Sequence, residues 1–385
     1  MFLPIQFFDD RETLNMNKGP LISIHIGDIH FGCAIEPKVE YDIIKEQMVD
    51  ELESLNFDIL SVDGDLFEHK FMSNTDPILY GSLLISDFVN LCKRKNATLV
   101  LLSGTKEHDA GQLKLFYHYL RDPEIDIRIV ETIQFEYIKG VKVLCIPELY
   151  GVDEEIYQFY LKKSGLYDLC FMHGTINGSV YNNNVGQSRL FNIDDFSHCR
   201  GPIVSGHVHG GGCYNTYFYY TGTPIRYEFG QENPKGFLIV LYDLDSRYHY
   251  TYLKEIKSFK YDTINLDDLI SSDPKDIIDY INKLHDDGID NIRIQFTKEI
   301  PTDNLNILKN YYRSSGHIKF KLSEKKAVID KTKISDNMKD VYEQYQYLFD
   351  PSLSPYDRLA KYITDNEKDI FVTGEQIKNI VNGDI

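Results

Sequence analysis

Five apolar runs in this chain break at short segments that combine glycine with aspartate or histidine. They are Gly27-Asp28-Ile29-His30, Gly64-Asp65-Leu66-Phe67-Glu68, Gly104-Thr105-Lys106-Glu107-His108-Asp109, Met172-His173-Gly174 and Gly206-His207-Val208-His209. Glycine lets the backbone turn sharply where a strand stops, so the polar side chains beside it project from one edge of a sheet. Loops at strand ends on a rigid scaffold can then bring carboxylates and imidazoles from distant parts of the chain to a common point. A fold that uses this pattern must set several strand ends side by side.

Hydrophobic periodicity supplies the strands. Leu21 to Ile26 alternates as a strand and breaks at Gly27, and Phe57 to Val62 is a second strand running into Gly64. Ala97–Leu102, Val141–Ile146, Leu169–Met172, Ile203–Ser205, Tyr217–Tyr220 and Gly236–Tyr242 read as further strands. Tyr41 to Leu55 has helical spacing, and Pro77 to Lys95 reads as a long helix after the Asn-Thr-Asp cluster. Strands and helices thus mix through the first two thirds, the signature of an α/β domain. From about Ile256 the pattern is helix (Asp267–His285), strand (Asn291–Phe296), helix (Asp303–Arg313) and strand (Ile318–Leu322), a compact α/β unit without a candidate ligand cluster. The remainder is polar and helical in pattern, interrupted by Pro351 and Pro355 in a serine-bearing stretch that reads as a linker. The expected division is residues 1–255, 256–328 and 329–385.

The 385 residues suit two or three domains. No segment has the apolar length of a membrane span, and the first ten residues lack the pattern of a secretory leader, so a cytoplasmic protein is expected. The six cysteines are scattered and form no Cys-x-x-Cys pair, as expected of reduced thiols. A net charge of −18 argues against nonspecific binding to nucleic acid by bulk electrostatics. Any such role must rest on local basic patches, bound cations or a partner.

Singly, each of the five segments is weak. An Asp-x-His pair is commonly a turn beside a solvated histidine, and His173 alone reads equally as a satisfied core histidine. Together they supply a mixed Asp/His donor set without cysteine, which suits Mn²⁺, Fe²⁺ or Zn²⁺ and is too rich in imidazole for a plain Ca²⁺ or Mg²⁺ cage.

In order, Asp-x-His, Gly-Asp, a Gly-x-x-x-His-Asp element, His and Gly-His-x-His resemble the calcineurin-like metallophosphoesterases. The downstream Tyr220-Thr221-Gly222-Thr223-Pro224-Ile225-Arg226, followed by Lys235-Gly236-Phe237, narrows the resemblance to the SbcD-type nuclease subunits of DNA double-strand-break repair complexes, phage members included. The likeness in motifs spans about Leu21 to Tyr242. It implies a four-layer α/β/β/α sandwich, a small α/β capping domain that binds DNA, and a helical C-terminal segment that docks an SMC-like coiled-coil ATPase of the SbcC type. It implies two divalent ions, most naturally Mn²⁺ with Mg²⁺ as an alternative. One would be held by Asp28, His30, Asp65 and His209, and the other by Asp65, His173, His207 and a residue of the Gly104–Asp109 segment. His108 would be the catalytic histidine. A homodimer is expected through the helix Pro77–Lys95 and the helix after Gly111.

Two departures from the family pattern stand out. The family has Gly-Asn-His-Asp where this chain has Gly-Thr-Lys-Glu-His-Asp, so the amide ligand of the second ion is missing. Glu107 is the expected substitute, with Thr105 as the alternative. After Asp65 a histidine of the family contacts the DNA end, and here His69, with Lys70 beside it, takes that place after a one-residue shift. Asp63 and Asp109 read as residues that support ligands rather than bind metal. Two other readings stay open: a phosphatase or small-molecule phosphodiesterase with the same metals, and a scaffold that keeps the site without cleaving.

Overall fold

The computed structural model describes residues 19–109, 111–178, 189–266, 273–296, 301–313, 315, 317–322, 353–366, 373, 375–376 and 378. The chain divides into two compact units, Met1–Phe296 with Ile300–Lys321 and Thr297–Glu299 with Leu322–Ile385.

The first unit carries the strands. In chain order they are β1 (Leu21–Ile26), β2 (Ile59–Asp63), β3 (Thr98–Leu102), β4 (Ile127–Val130), β5 (Gln134–Ile138), β6 (Val141–Ile146), β7 (Leu169–His173), β8 (Thr175–Ile176) and β9 (Leu190–Phe191). There follow β10 (Ile203–Gly206), β11 (Gly212–Cys213), β12 (Phe218–Tyr220), β13 (Gly236–Tyr242), β14 (His249–Glu255), β15 (Tyr261–Asn265), β16 (Asn291–Phe296) and β17 (Ile318–Leu322). Two six-stranded mixed sheets result, ordered β14-β13-β1-β2-β3-β4 and β11-β12-β10-β7-β6-β5. In the first, β1 to β4 run parallel and β13 pairs antiparallel to β1, with Ser23 opposite Ile59 and Val62 opposite Leu101. In the second, β6, β7, β10 and β12 run parallel.

Every residue of β2, β3 and β7 is buried; β3 and β7 accordingly read as apolar runs, while β2 also encloses the polar Ser61 and Asp63. Leu21, Ile59, Val100 and Leu102 of the first sheet share one buried cluster with Val141, Val143, Cys145, Leu169 and Phe171 of the second. The first sheet's other face packs on helical residues such as Ile44, Met48, Leu84, Ile85 and Phe88. The second sheet's other face packs on Tyr157, Leu161 and Phe196. Two large mixed sheets flanked by helices thus form the body.

The helix Asp76–Lys95 has Pro77 in its first turn and stops at Asn96, whose φ of 53° ends it in the left-handed region. Lys93, Arg94 and Lys95 in its last turn face the negative end of the helix dipole.

Beyond β14, strands β15, β16 and β17 form a separate sheet. It encloses its own core of Ile264, Ile277, Ile281, Ile292, Ile294 and Leu308 with the helices Pro274–Asp286 and Thr302–Tyr311. The beginning of the helix expected from Asp267 lies outside the described residues, as does the expected boundary at 328/329. In the second unit the helix Pro355–Asn366 starts at a Ser354 cap whose Oγ accepts from the Asp357 N–H at 3.1 Å. Pro355 stands at the start of this helix, and Pro351 lies outside the described residues. Among the described residues no helix is long and apolar enough to cross a membrane.

Candidate metal centre

The carboxyl ends of β1, β2 and β3 in one sheet, and of β6, β7 and β10 in the other, supply the polar cluster. In open parallel sheets, the crevice outside the strands' carboxyl ends is where ligands bind. β1 delivers Asp28 and His30, β2 Asp65, β3 Thr105 and His108, β7 His173, and β10 His207 and His209. Three groups of donors converge there: Asp28 with His30 and His209, Asp65 with His173 and His207, and His30 with Asp65 and His108.

The backbone is bent to achieve this. Asp28, His30, Asp65 and His207 have φ of 51°, 55°, 53° and 83°, a region that non-glycine residues rarely enter and that concentrates at functional sites. Gly64 (φ 89°) and Gly206 flank the His173 ring so closely that a Cβ would stand 2.2 Å and 2.7 Å from its Nδ1. Glycine is needed at both positions for His173 to reach the centre.

Each imidazole has a defined orientation. His173 Nδ1 donates to the Asp63 carbonyl at 2.8 Å, which turns Nε2 toward Asp65 Oδ2 at 3.2 Å. Glu68 Oε2 lies 2.9 Å from His30 Nδ1, an ion-pair contact that leaves His30 Nε2 facing His209 Nε2 at 3.0 Å. His108 Nδ1 donates to the Glu68 carbonyl, and its ring meets His30 edge-on with centroids 4.6 Å apart. The His209 carbonyl accepts from Lys235 Nζ at 2.7 Å, and the His207 N–H donates to both Asp28 oxygens at 2.9 and 3.0 Å. The Nδ1 partners of His173, His30 and His108 orient those rings, as is usual at metal sites, while the contacts of His207 and His209 anchor their backbone.

The charges are strongly coupled. Burial works against a charged His173, but the adjacent Asp65 carboxylate overrides it and holds the imidazole well above its usual range. Burial likewise opposes an ionised Asp65, yet His173 and His30 hold its carboxyl well below the usual carboxylate range. For His30, burial is outweighed by Glu68, Asp65 and Asp28, and its pKa rises. Burial lowers that of His209, with His30 adding to the effect. Lys235 is pushed down to about 8 by burial.

Asp63 and Asp109 hold the frame. Asp63 Oδ2 takes His25 Nδ1 at 2.8 Å. Asp109 accepts from the N–H groups of Gly104, Leu66, Asp65 and Phe67 at 2.7, 2.9, 3.2 and 3.3 Å, tying the β2 and β3 loops together. Burial and the nearby Asp65 raise its carboxyl to about 6.

Glu107 is a correction to the sequence reading. It is exposed on the short helical turn Lys106–Asp109 and belongs to none of the three donor groups. A carboxylate that the sequence reading did not single out stands in the cluster instead. Glu148, just past β6, has Oε2 3.3 Å from His207 Nδ1 and 3.7 Å from His173 Nε2. Thr105 Oγ donates to this oxygen at 2.8 Å and also lies 3.2 Å from Asp65 Oδ2. The signal that could have found Glu148 was its place after Val141–Ile146, since a carboxylate behind a parallel strand reaches the same sheet edge. His69 and Lys70 are exposed beside Glu68, and the His69 ring stacks on Phe71 at 4.0 Å.

The donor set fits divalent cations. Asp28 and Asp65 are only 0% and 2% exposed, so their charges need compensation inside the protein. Two imidazole pairs bring ring nitrogens to 3.0 Å and 3.3 Å of one another. Two neutral rings with lone pairs facing would repel, and a cation or a proton between them removes the conflict.

No family model matches the chain, and no curated protein matches it. One solved structure aligns over 62% of this chain and 100% of its own, at 14% identity and a TM-score of 0.36. A likeness of that size carries no argument, so the functional reading stands on the residues themselves.

Proposed function

We propose that this chain is a metal-dependent phosphodiesterase built as a four-layer α/β/β/α sandwich, and that it cleaves DNA as the nuclease subunit of a double-strand-break repair complex with an SMC-like coiled-coil ATPase. The observation that carries this reading is the convergence of Asp28, His30, Asp65, His173, His207 and His209 from four strand ends into adjoining donor groups. Asp28, His30 and His209 would hold one cation, His173 and His207 the other, and Asp65 both. A cation pair of this kind polarises phosphoryl oxygens and lowers the pKa of water.

The remaining residues do the positioning and the proton work. With Nδ1 committed to the Glu68 carbonyl, His108 offers Nε2 to a leaving oxygen at the rim of the centre. His69 and Lys70 stand on the same exposed rim, where a phosphate backbone would pass. The three-stranded unit β15–β17, the proposed DNA cap, follows directly in the chain. Residues 329–385 are proposed as the ATPase-binding segment. For the homodimer, Leu79 and Leu83 on the long helix and Leu115 and Leu120 after Gly111 are exposed at 51%, 40%, 40% and 52%, an apolar surface that a second copy would cover.

The test is purified protein with Mn²⁺ and end-labelled duplex DNA, run beside a simple phosphomonoester. Metal-dependent cleavage of the duplex is expected. Brisk phosphomonoester hydrolysis with intact DNA would replace the nuclease reading by that of a phosphatase, and inertness toward both would leave a scaffold.

A further inference from the structure

We propose that Glu148 is a carboxylate ligand of the second cation, locked in place by Thr105 and Tyr150. The inference rests on the metal-centre reading above and concerns which residues complete it. Three observations support it.

Glu148 Oε2 addresses His207 Nδ1 at 3.3 Å and His173 Nε2 at 3.7 Å, the imidazoles that group with Asp65. The residue is enclosed, with 8% of its surface exposed, so its carboxylate can be balanced only by what lies inside the cluster. Its orientation is also fixed from behind. Tyr150 OH donates to Oε1 at 2.9 Å, Thr105 Oγ donates to Oε2 at 2.8 Å, and the Glu148 N–H donates to the Ser103 carbonyl at 3.3 Å, pinning the end of β6 to the β3 loop.

The Thr105 hydroxyl sharpens the case. It stands between Glu148 Oε2 and Asp65 Oδ2, at 2.8 and 3.2 Å, yet has one proton and can donate to only one of them. The Asp65 oxygen also faces His173 Nε2 at 3.2 Å, so a cation held by Asp65, His173, His207 and Glu148 would take the place of that imidazole's proton. The second site would then hold two carboxylates and two imidazoles, a set suited to Mn²⁺. The exposed Glu107 is not needed.

Mn²⁺ binding by calorimetry and electron paramagnetic resonance of the loaded protein test this without reference to activity. The wild-type chain should take up two ions and show the signal of a magnetically coupled pair. Glu148→Ala should keep one ion at wild-type affinity and bind the other at least about tenfold more weakly, since even partners one step removed from a metal carry about 10- to 100-fold. Its spectrum should become that of an isolated ion. Glu148→Gln, which keeps an oxygen donor but loses the charge, should fall between, and Glu107→Gln should match the wild type. Two ions at wild-type affinity with a coupled signal in Glu148→Ala would overturn the role of Glu148 and leave the metal centre standing. Failure of the wild type to bind Mn²⁺ at all would overturn the metal centre itself. Should Glu148→Ala not fold, Glu148→Gln decides, and wild-type affinity there counts against the proposal.

Discussion

His108 and His173 show how one residue type serves two tasks in this cluster, set apart by what holds the Nδ1 atom. His173 is enclosed and gives Nδ1 to the Asp63 carbonyl, while His108 is half-buried and gives Nδ1 to the Glu68 carbonyl at the rim. On the proposed reading His108→Ser lowers DNA cleavage by about 10²- to 10⁴-fold with metal content unchanged; loss of metal in that variant would instead make His108 a ligand, as its grouping with His30 and Asp65 also allows. Asp65 holds the His173 pKa up against burial, so a cation that takes Nε2 competes with a proton there. Mn²⁺ uptake at pH 7 should therefore release protons, and affinity should fall as the solution is acidified. The metal-free fold responds with its own signs. The raised His173 pKa stabilises fully below its unfolded value of about 6.5, and that contribution is lost as pH rises through the folded value. The depressed Asp65 pKa stabilises above its unfolded value of about 3.9 and is lost as pH falls through the folded value. The His173–Asp65 contribution to melting of the metal-free protein should be full between about pH 4 and 6.5 and decline on the alkaline side, while Asp109, raised to about 6, adds a loss of its own as pH climbs from about 4. His173→Gln should flatten that decline, and an unchanged slope would show that the pair does not set it.

The loops at the strand ends behave as one element because Asp109 joins them. Its carboxylate satisfies four backbone N–H groups on the β2 and β3 loops, so Asp109→Ala leaves buried donors unpaired, at about 1–3 kcal/mol for each one that water cannot reach. A lower melting temperature together with weaker Mn²⁺ binding is expected, and a variant with wild-type metal affinity would show that the loops hold their shape without this clamp. Much of this was legible in the sequence because β3 and β7 are buried throughout and read as apolar runs, while β1 and β2 end at Gly-Asp segments. β5 and β14 did not, since these edge strands interleave Glu136, His249 and Lys254 with their apolar residues. Glu148 escaped for a different reason: Pro147, not glycine, follows β6, so it lacks the glycine mark of the other ligand segments. Glu107 misled because adjacency in sequence to His108 is not adjacency in space. The helical turn Lys106–Asp109 buries Asp109, half-buries His108 and turns Glu107 to solvent.

At the scale of the whole molecule, the net charge of −18 sets the hardest demand on the proposed activity. A DNA-binding surface normally gains affinity by releasing the counterions that Lys and Arg replace, and the logarithm of affinity then falls steeply with the logarithm of salt concentration. A chain this acidic repels the duplex everywhere except where local positive charge collects. The rim offers Lys70 and His69, and the interior adds Lys235, itself pushed down to about 8 and turned toward the His209 carbonyl. Two divalent ions would set four positive charges against the three carboxylates proposed to hold them, Asp28, Asp65 and Glu148, and so turn the centre where the scissile phosphate must sit from net negative to net positive. DNA affinity of the isolated chain should therefore depend on metal far more than on basic side chains. Fluorescence anisotropy with a labelled duplex and the His108→Ser variant, which cannot consume its ligand, measures this directly. Removal of Mn²⁺ should weaken binding by at least about tenfold, and the salt dependence of the loaded protein should be shallow, equivalent to about one or two phosphate contacts. Tight binding without metal and with a steep salt slope would mean that a basic surface elsewhere on the chain engages DNA, and the proposed coiled-coil partner would not be needed to supply the missing affinity.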